Sequence, residues 1–429
     1  MKALALALGL LGANAMAAGL DPVEQRIVAE VRSRSAGALT LLERSVKINS
    51  GTGNLPGVRA VGELFRAEFE QLGFATRWIA MPQEMKRAGH LLAERKGKQG
   101  KRLLLIGHLD TVFEADSPVR TWERKGDRVS GQGVNDMKSG NVVVVEALRA
   151  LHRAGVLGNT SISVMFTGDE EAPGNPKTVS RADLVALARR SDVALAFEGT
   201  VLDKEGRATG TVGRRASGSF ELDVKARQGH SSGIFNSVSG YGAIYEAARI
   251  LDAFRLQVAE PDLTYSPGLI LGGTDVTHDA ASTRGTAFGK SNVIANSVTV
   301  RGDLRYLDAA QKERAQAKMR AIVAQNLPGT SATIAFGESY PPMAVTPGNL
   351  SILALYSRTS EDLGMGPVAA LPAGLRGGGD IQFVAPHVDS LDGLGATGRG
   401  SHSPDEDLEI ASIERAAIRT AILIYRLTR

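Results

Sequence analysis

Apolar positions in the first half of the chain switch repeatedly between two periods. Val61, Leu64, Phe65 and Leu72 recur at helical spacing, and Gly73 stands where a helix would end. Phe74–Ala80 then predicts a strand. Leu103–Ile106 is a short run without a polar position, the pattern of a strand buried on both faces. The same pattern predicts a helix over Lys138–His152, a strand over Ser161–Phe166, a helix over Arg181–Arg189 and a strand over Val193–Phe197. Strands alternating with helices argue for an α/β domain, its mostly parallel mixed sheet covered by helices on both faces.

From about Thr211 the texture changes. Phe220, Leu222 and Val224 alternate with Glu221, Asp223 and Lys225, and Val298, Val300 and Leu304 alternate with Thr299, Arg301, Asp303 and Arg305. That period of two marks half-buried strands. With helices over Gly240–Phe254 and Ala310–Gln325 and a strand over Ala332–Phe336, residues 211–337 read as an inserted α+β domain with an antiparallel sheet. Helices over Leu350–Leu363 and Ile410–Leu427 return to the first domain, which is then discontinuous, 18–210 and 338–429.

The first residues have a different character. Lys2, the apolar run Ala3–Leu11 and the small residues of Ala13–Ala17 predict a signal peptide over residues 1–17, the alternative being a buried first helix. Export to a bacterial periplasm is then expected. No later stretch reaches the roughly 18–20 apolar residues of a membrane helix. With no cysteine in the chain, a metal has only nitrogen and oxygen donors available. Basic and acidic residues nearly balance, 50 against 46, without a long basic run, so nucleic-acid binding is unsupported.

Candidate chemistry lies just past predicted strand ends, where open α/β sheets build their sites. His108 stands in GHLDT, Glu170 and Glu171 in TGDEEAPG, and Glu198 in AFEGT; Asp136 in GVNDMKSG and His402 in GSHSPDED complete a set of six. Asp110, two residues after His108, either fixes its tautomer, orients a neighbouring ligand, or is a solvated turn aspartate. Asp136 is either a helix cap or a bridging metal carboxylate. Asp169, Glu170 and Glu171 are three successive acids, a clustering that repulsion disfavours unless cations compensate; a solvated acidic turn is the alternative. A carboxylate at Glu198 closes an apolar run, where it needs a cation or marks the mouth of a site. Gly377–Gly379 lacks the Lys-Ser/Thr of a phosphate loop, and Arg376 before it is either a charge for the site or a solvated loop arginine.

Taken in order, these segments together with ARQGHSS, SNVIANSVTVRGDLRY and GGGD resemble the co-catalytic zinc peptidase family. Its members include glutamate carboxypeptidases, aminoacylases, succinyl-diaminopimelate desuccinylases and di- and tripeptidases, and the pattern sits nearest the glutamate carboxypeptidase branch. The resemblance covers essentially the whole chain after the signal segment. It implies two Zn²⁺ per subunit, one held by His108, Asp136 and Glu198 and the other by Asp136, Glu171 and His402, with Asp136 bridging. It further implies Glu170 as general base and acid acting on a water shared by the ions, and Asp110 as a carboxylate behind the ligands. The inserted domain becomes a lid and dimerisation surface carrying His230, Asn292 and Arg305 as substrate contacts, which makes a homodimer expected. The implied reaction is hydrolysis of a peptide or N-acyl amide bond beside a free carboxylate. The alternatives are an aminopeptidase or dipeptidase of the same family and, from another class, a non-catalytic periplasmic binding protein. EEAPGNP and GESYPPM depart from the family pattern, the latter lacking an arginine expected of a close glutamate carboxypeptidase.

Overall fold

A computed structural model describes residues 19–119, 121–279 and 284–429. The expected signal peptide lies outside the described residues. Six strands form the main sheet in the order Ala75–Ile79, His90–Arg95, Thr160–Thr167, Gln99–His108, Val193–Ala196 and Ser390–Leu391. The first two joins are antiparallel; the last four strands run parallel. Their carboxyl ends therefore share one edge, and each leads directly into a polar loop.

The apolar run at 103–106 is explained by what covers it. Leu103 and Leu105 face one cluster of buried side chains, while Leu104 and Ile106 face another. Helices Leu55–Gln71, Ser139–Arg153 and Ile410–Thr428 supply the larger cluster with Phe65, Phe69, Val143, Leu148 and Ile422. Helices Ala182–Ala188 and Ile381–Val384 supply the smaller with Leu184, Leu187 and Val384. Each fully buried aliphatic side chain contributes about 1.5–3 kcal/mol, so a strand apolar on both sides anchors two layers at once. Gly73, at φ +76°, ends the Leu55–Gln71 helix in the left-handed region that glycine enters without strain.

A second sheet is antiparallel throughout, in the order Thr264–Gly273, Ser297–Arg305, Ser217–Ala226 and Thr330–Tyr340. Phe220, Leu222, Val224, Val298 and Val300 are buried beneath helices Ala243–Gln257 and Ala309–Val323. The alternate positions carry charge: Arg301 pairs with Glu221 and Asp223, and Thr299 donates to Asp223 at 2.7 Å. The chain enters and leaves this unit side by side, Arg214 exchanging both backbone hydrogen bonds with Met343 at 3.0 Å.

Two of the longer strands without an expectation in the apolar pattern are instructive. His90–Arg95 carries Leu92, Ala93, Glu94 and Arg95, good helix formers, and becomes a strand because it is buried between two neighbours. Thr264–Gly273 contains Pro267 and three glycines, which break a strand pattern; it lies at the sheet edge, and its register shifts beside Pro267. Among the described residues no helix is long and apolar enough to cross a membrane.

Candidate metal centre

The parallel-strand edge gathers the six residues. His108 is the last residue of its strand, fully buried, and its Nδ1 donates to the Asp110 carbonyl at 3.0 Å. That bond fixes the tautomer and turns the Nε2 lone pair into the cleft. There Nε2 lies 3.2 Å from Asp136 Oδ1 and 3.6 Å from Glu198 Oε1. On the other side His402 Nε2 lies 3.2 Å from Asp136 Oδ2 and 3.0 Å from Glu171 Oε2. Asp136 thus gives one oxygen to each imidazole. Three groups of three have donor atoms within 4.8 Å of one another: His108, Asp136 and Glu198; Asp136, Glu171 and His402; and His108, Glu170 and Glu171.

Asp136 does not cap the helix that begins at Ser139. Its loop is held from elsewhere, because the buried Glu406 carboxylate accepts from the N–H groups of Asn135 at 2.7 Å, Asp136 at 2.9 Å and Gly133 at 3.1 Å. Asp110 is buried and orients two neighbours: its carboxylate accepts from Glu170 N at 3.0 Å, Glu171 N at 3.1 Å and Thr52 Oγ1 at 2.6 Å. The tyrosine at 340 donates to the Glu170 carbonyl at 3.0 Å. The Glu170 backbone is thereby fixed while its carboxylate faces the cleft.

Charge in the cleft is unbalanced. Burial pushes the Glu170 carboxyl well above its usual range, and Asp380, Glu198 and Glu171 add to this. Burial and the Asp136 charge raise Glu198 to about 7. Against its own burial, the neighbouring His108 and His402 rings hold Asp136 well below the usual carboxylate range. Bonds to Asp136 and Glu171 lift His402 to about 11. Four carboxylates thus share two imidazoles. Glu171 Oε1 is buried without a hydrogen-bond partner, a cost that a cation would remove. Imidazole nitrogen with carboxylate oxygen is the donor set of zinc, so the residues fit divalent metal.

The cleft, about 240 Å³, is also lined by Arg214 and Arg376. Arg214 is buried: it pairs with Asp392 and donates to the carbonyls of Gly377 at 2.8 Å and Gly378 at 2.7 Å. Sequence reasoning missed Arg214 and Glu406. The one signal for Arg214 is a charge between Val212 and Ala216, both buried. His230 and Asn292 come together on the inserted unit, where Ser231 N donates to the Asn292 carbonyl at 3.0 Å, but both are exposed. Arg305 bonds Asp303 at 2.8 Å. None of these three lines the cleft.

Comparison with known proteins agrees with this geometry. Residues 104–425 match the family model described as peptidase family M20/M25/M40. Carboxypeptidase G2 of Pseudomonas sp. (strain RS-16) is 28% identical over 413 residues, covering 90% of this chain and 88% of its own. Succinyl-diaminopimelate desuccinylase of Cupriavidus necator is 28% identical over 396 residues, covering 88% and 95% respectively. The crystal structure of aminopeptidase PepT from Bacillus cereus ATCC 10987 shares the fold at a TM-score of 0.72 with 16% identity, covering 92% of this chain and 99% of its own. The chain belongs to peptidase family M20/M25/M40. It is an enzyme, a hydrolase of the metallopeptidase and amidohydrolase kind, with an α/β fold of mixed sheet and helices.

Proposed function

We propose that this enzyme hydrolyses a peptide or N-acyl amide bond beside a free carboxylate, with two Zn²⁺ per subunit. The observation that carries the reading is the division of Asp136 between two imidazoles, 3.2 Å on each side, with Glu170 in neither of the groups that Asp136 joins. His108, Asp136 and Glu198 would hold one ion and Asp136, Glu171 and His402 the other. A pair of such ions supplies Lewis acidity and lowers the pKa of a shared water towards about 7.

The remaining steps belong to the chain. Glu170 accepts the proton of the attacking water and returns it to the nitrogen of the leaving amine, so one carboxylate serves as base and then as acid. Asp110 keeps that carboxylate in register by holding the backbone N–H groups of Glu170 and Glu171. On this reading His230, Asn292 and Arg305 act on the substrate from a lid, and since none lines the cleft they arrive by movement of the inserted unit or from the second subunit of a homodimer. Export to a periplasm is part of the same reading and rests on the apolar start of the chain. The similarity to a carboxypeptidase over nine-tenths of the chain supports the choice of substrate end.

Turnover of N-acyl amino acids, free dipeptides and C-amidated dipeptides, with Zn²⁺ or with chelator, tests it. Free acids are expected to react and amides to lag. Equal turnover of amidated substrates would sink the carboxylate requirement, and a preference for a free amine would favour an aminopeptidase. Activity untouched by chelator would remove the metals.

A further inference from the structure

We propose that Arg376 is the seat of the substrate's free carboxylate, resting on the reading above and placing that contact in the wall of the cleft rather than on Arg305. The argument begins with what the arginine lacks. Its Nε and Nη2 are both buried, and neither has a hydrogen-bond partner. No carboxylate of the described residues lies within ion-pairing distance of it. Burying a guanidinium unpaired costs free energy that folding does not return.

Other buried arginines of this chain are engaged. Arg181 pairs with Asp169 and Asp380, each at 2.6 Å, and Arg214 with Asp392 and two carbonyls. Arg214 and Arg376 line the same cleft, so the contrast between them is local. One is committed to holding the 377–378 turn, with only its Nε unpartnered; the other projects from the residue before that turn with Nε and Nη2 both unpartnered.

Which donors are free also matters. Nε–H and the near N–H of Nη2 point the same way and form the side of the guanidinium that takes both oxygens of one carboxylate. Several other arginines of this chain use that edge. Arg102 gives Nε to one oxygen of Asp192 at 3.0 Å and Nη2 to the other at 2.6 Å. Arg128 meets Asp407 in the same way, at 2.8 and 2.5 Å. At Arg376 the same edge has no partner and is closed to solvent, so a carboxylate takes it as the side chain or the 377–378 turn yields to the ligand. Burial and the nearby Arg214 charge disfavour the Arg376 cation, while Asp392, Glu198 and Asp136 favour it from a distance. Those three acids are already given to Arg214 or to the cation sites, so the partner must come with the ligand.

The test compares wild type with Arg376→Met, Arg376→Lys and Arg305→Met in the zinc-loaded full chain. Steady-state constants are measured for an N-acyl amino acid and its C-terminal amide, and for competitive inhibition by benzoate. Arg376→Met is expected to lower kcat/KM for the free acid roughly a hundredfold, mainly through KM, as loss of a buried charge pair does. The amide should be little affected, benzoate inhibition should weaken in parallel, and lysine, without the fork, should restore only part. Zinc content should hold, and the Tm should stay level or rise, because the removed cation was unpaired; a merely structural arginine would lower it. A wild-type preference for the acid that survives in Arg376→Met, or passes to Arg305→Met, overturns the assignment to Arg376 alone. Equal losses on acid and amide make Arg376 a holder of the loop and also overturn it. A wild type indifferent to the carboxylate overturns the substrate reading instead; Arg376 is then judged by benzoate, and inhibition unchanged in Arg376→Met refutes the seat.

Discussion

Asp169 and the two glutamates that follow it are neighbours in the chain and opposites in circumstance. The Asp169 carboxylate turns into the protein, where Arg181 Nη1 at 2.6 Å, Ser180 Oγ at 2.7 Å and Gly174 N at 2.8 Å satisfy it. Asp380 completes that cluster, accepting from Arg181 Nε at 2.6 Å and Thr167 Oγ1 at 2.5 Å. Glu170 and Glu171 turn outward into a cleft whose positive charge falls short of its negative, and Glu171 Oε1 has no partner. Both regions are buried, acidic and a few ångströms apart. Buried acidity alone does not mark a functional site; buried acidity short of its counter-charge does.

That contrast breaks in a definite order. The largest effect is expected from Glu170→Gln, which keeps the shape and removes the proton carrier. Turnover should fall by about 10²–10⁴ with metal content and Tm nearly unchanged; full turnover would show that the proton travels by another route. Next comes Asp169→Asn on the satisfied side. It leaves Arg181 with half its charge partners in the interior, so denaturant unfolding should show a loss of about 3–5 kcal/mol while the folded fraction still binds metal. If Asp169→Asn lost metal without losing stability, the division between the two regions would collapse.

The smallest expected effect lies in His90, behind the satisfied cluster. Its Nδ1 accepts from Gly168 N at 3.2 Å and its Nε2 donates to the Ser180 carbonyl at 3.0 Å, which leaves a neutral ring. Burial holds it below the usual 6.5 in spite of Asp169 at 4.0 Å, and Arg181 pushes the same way. The unfolded chain therefore takes up the proton first. Stability from this group is complete above about pH 6.5 and declines below it, with a slope approaching 1.4 kcal/mol per pH unit at about its steepest. Wild type should lose Tm between pH 6.5 and 5 faster than His90→Gln; parallel profiles would mean the ring is already protonated in the fold.

The metal-ligating candidates were legible because the chemistry restricts them to few residue types and the parallel strands deliver them to one edge. His108, Glu170, Glu171 and Glu198 each follow an apolar run that announces itself. Asp110 was legible only as a choice of roles, since nothing in GHLDT says that its carboxylate receives the N–H groups of Glu170 and Glu171. The arginines were harder. GRRAS and LRGGG look like solvated loops, and only long-range contacts bury Arg214 against Asp392 or leave the Arg376 edge buried and unpaired. His230, Asn292 and Arg305 show a different limit: their local sequence says nothing about their distance from the cleft, which depends on how the two sheets are set against each other. The strand at 264–273 escaped notice because an edge position tolerates the proline and glycines that pattern reading treats as breaks.

The Glu406 carboxylate, holding three N–H groups of the 133–136 loop, has a consequence in time. The chain is made from its amino end, so the loop that presents Asp136 emerges from the ribosome some 270 residues before the acceptor that shapes it, and His402 arrives only just ahead of that acceptor. The sheet core around Leu103–Ile106 waits as long, because helices Ile381–Val384 and Ile410–Thr428 close it from its two sides. Hydrolytic competence belongs to the finished chain.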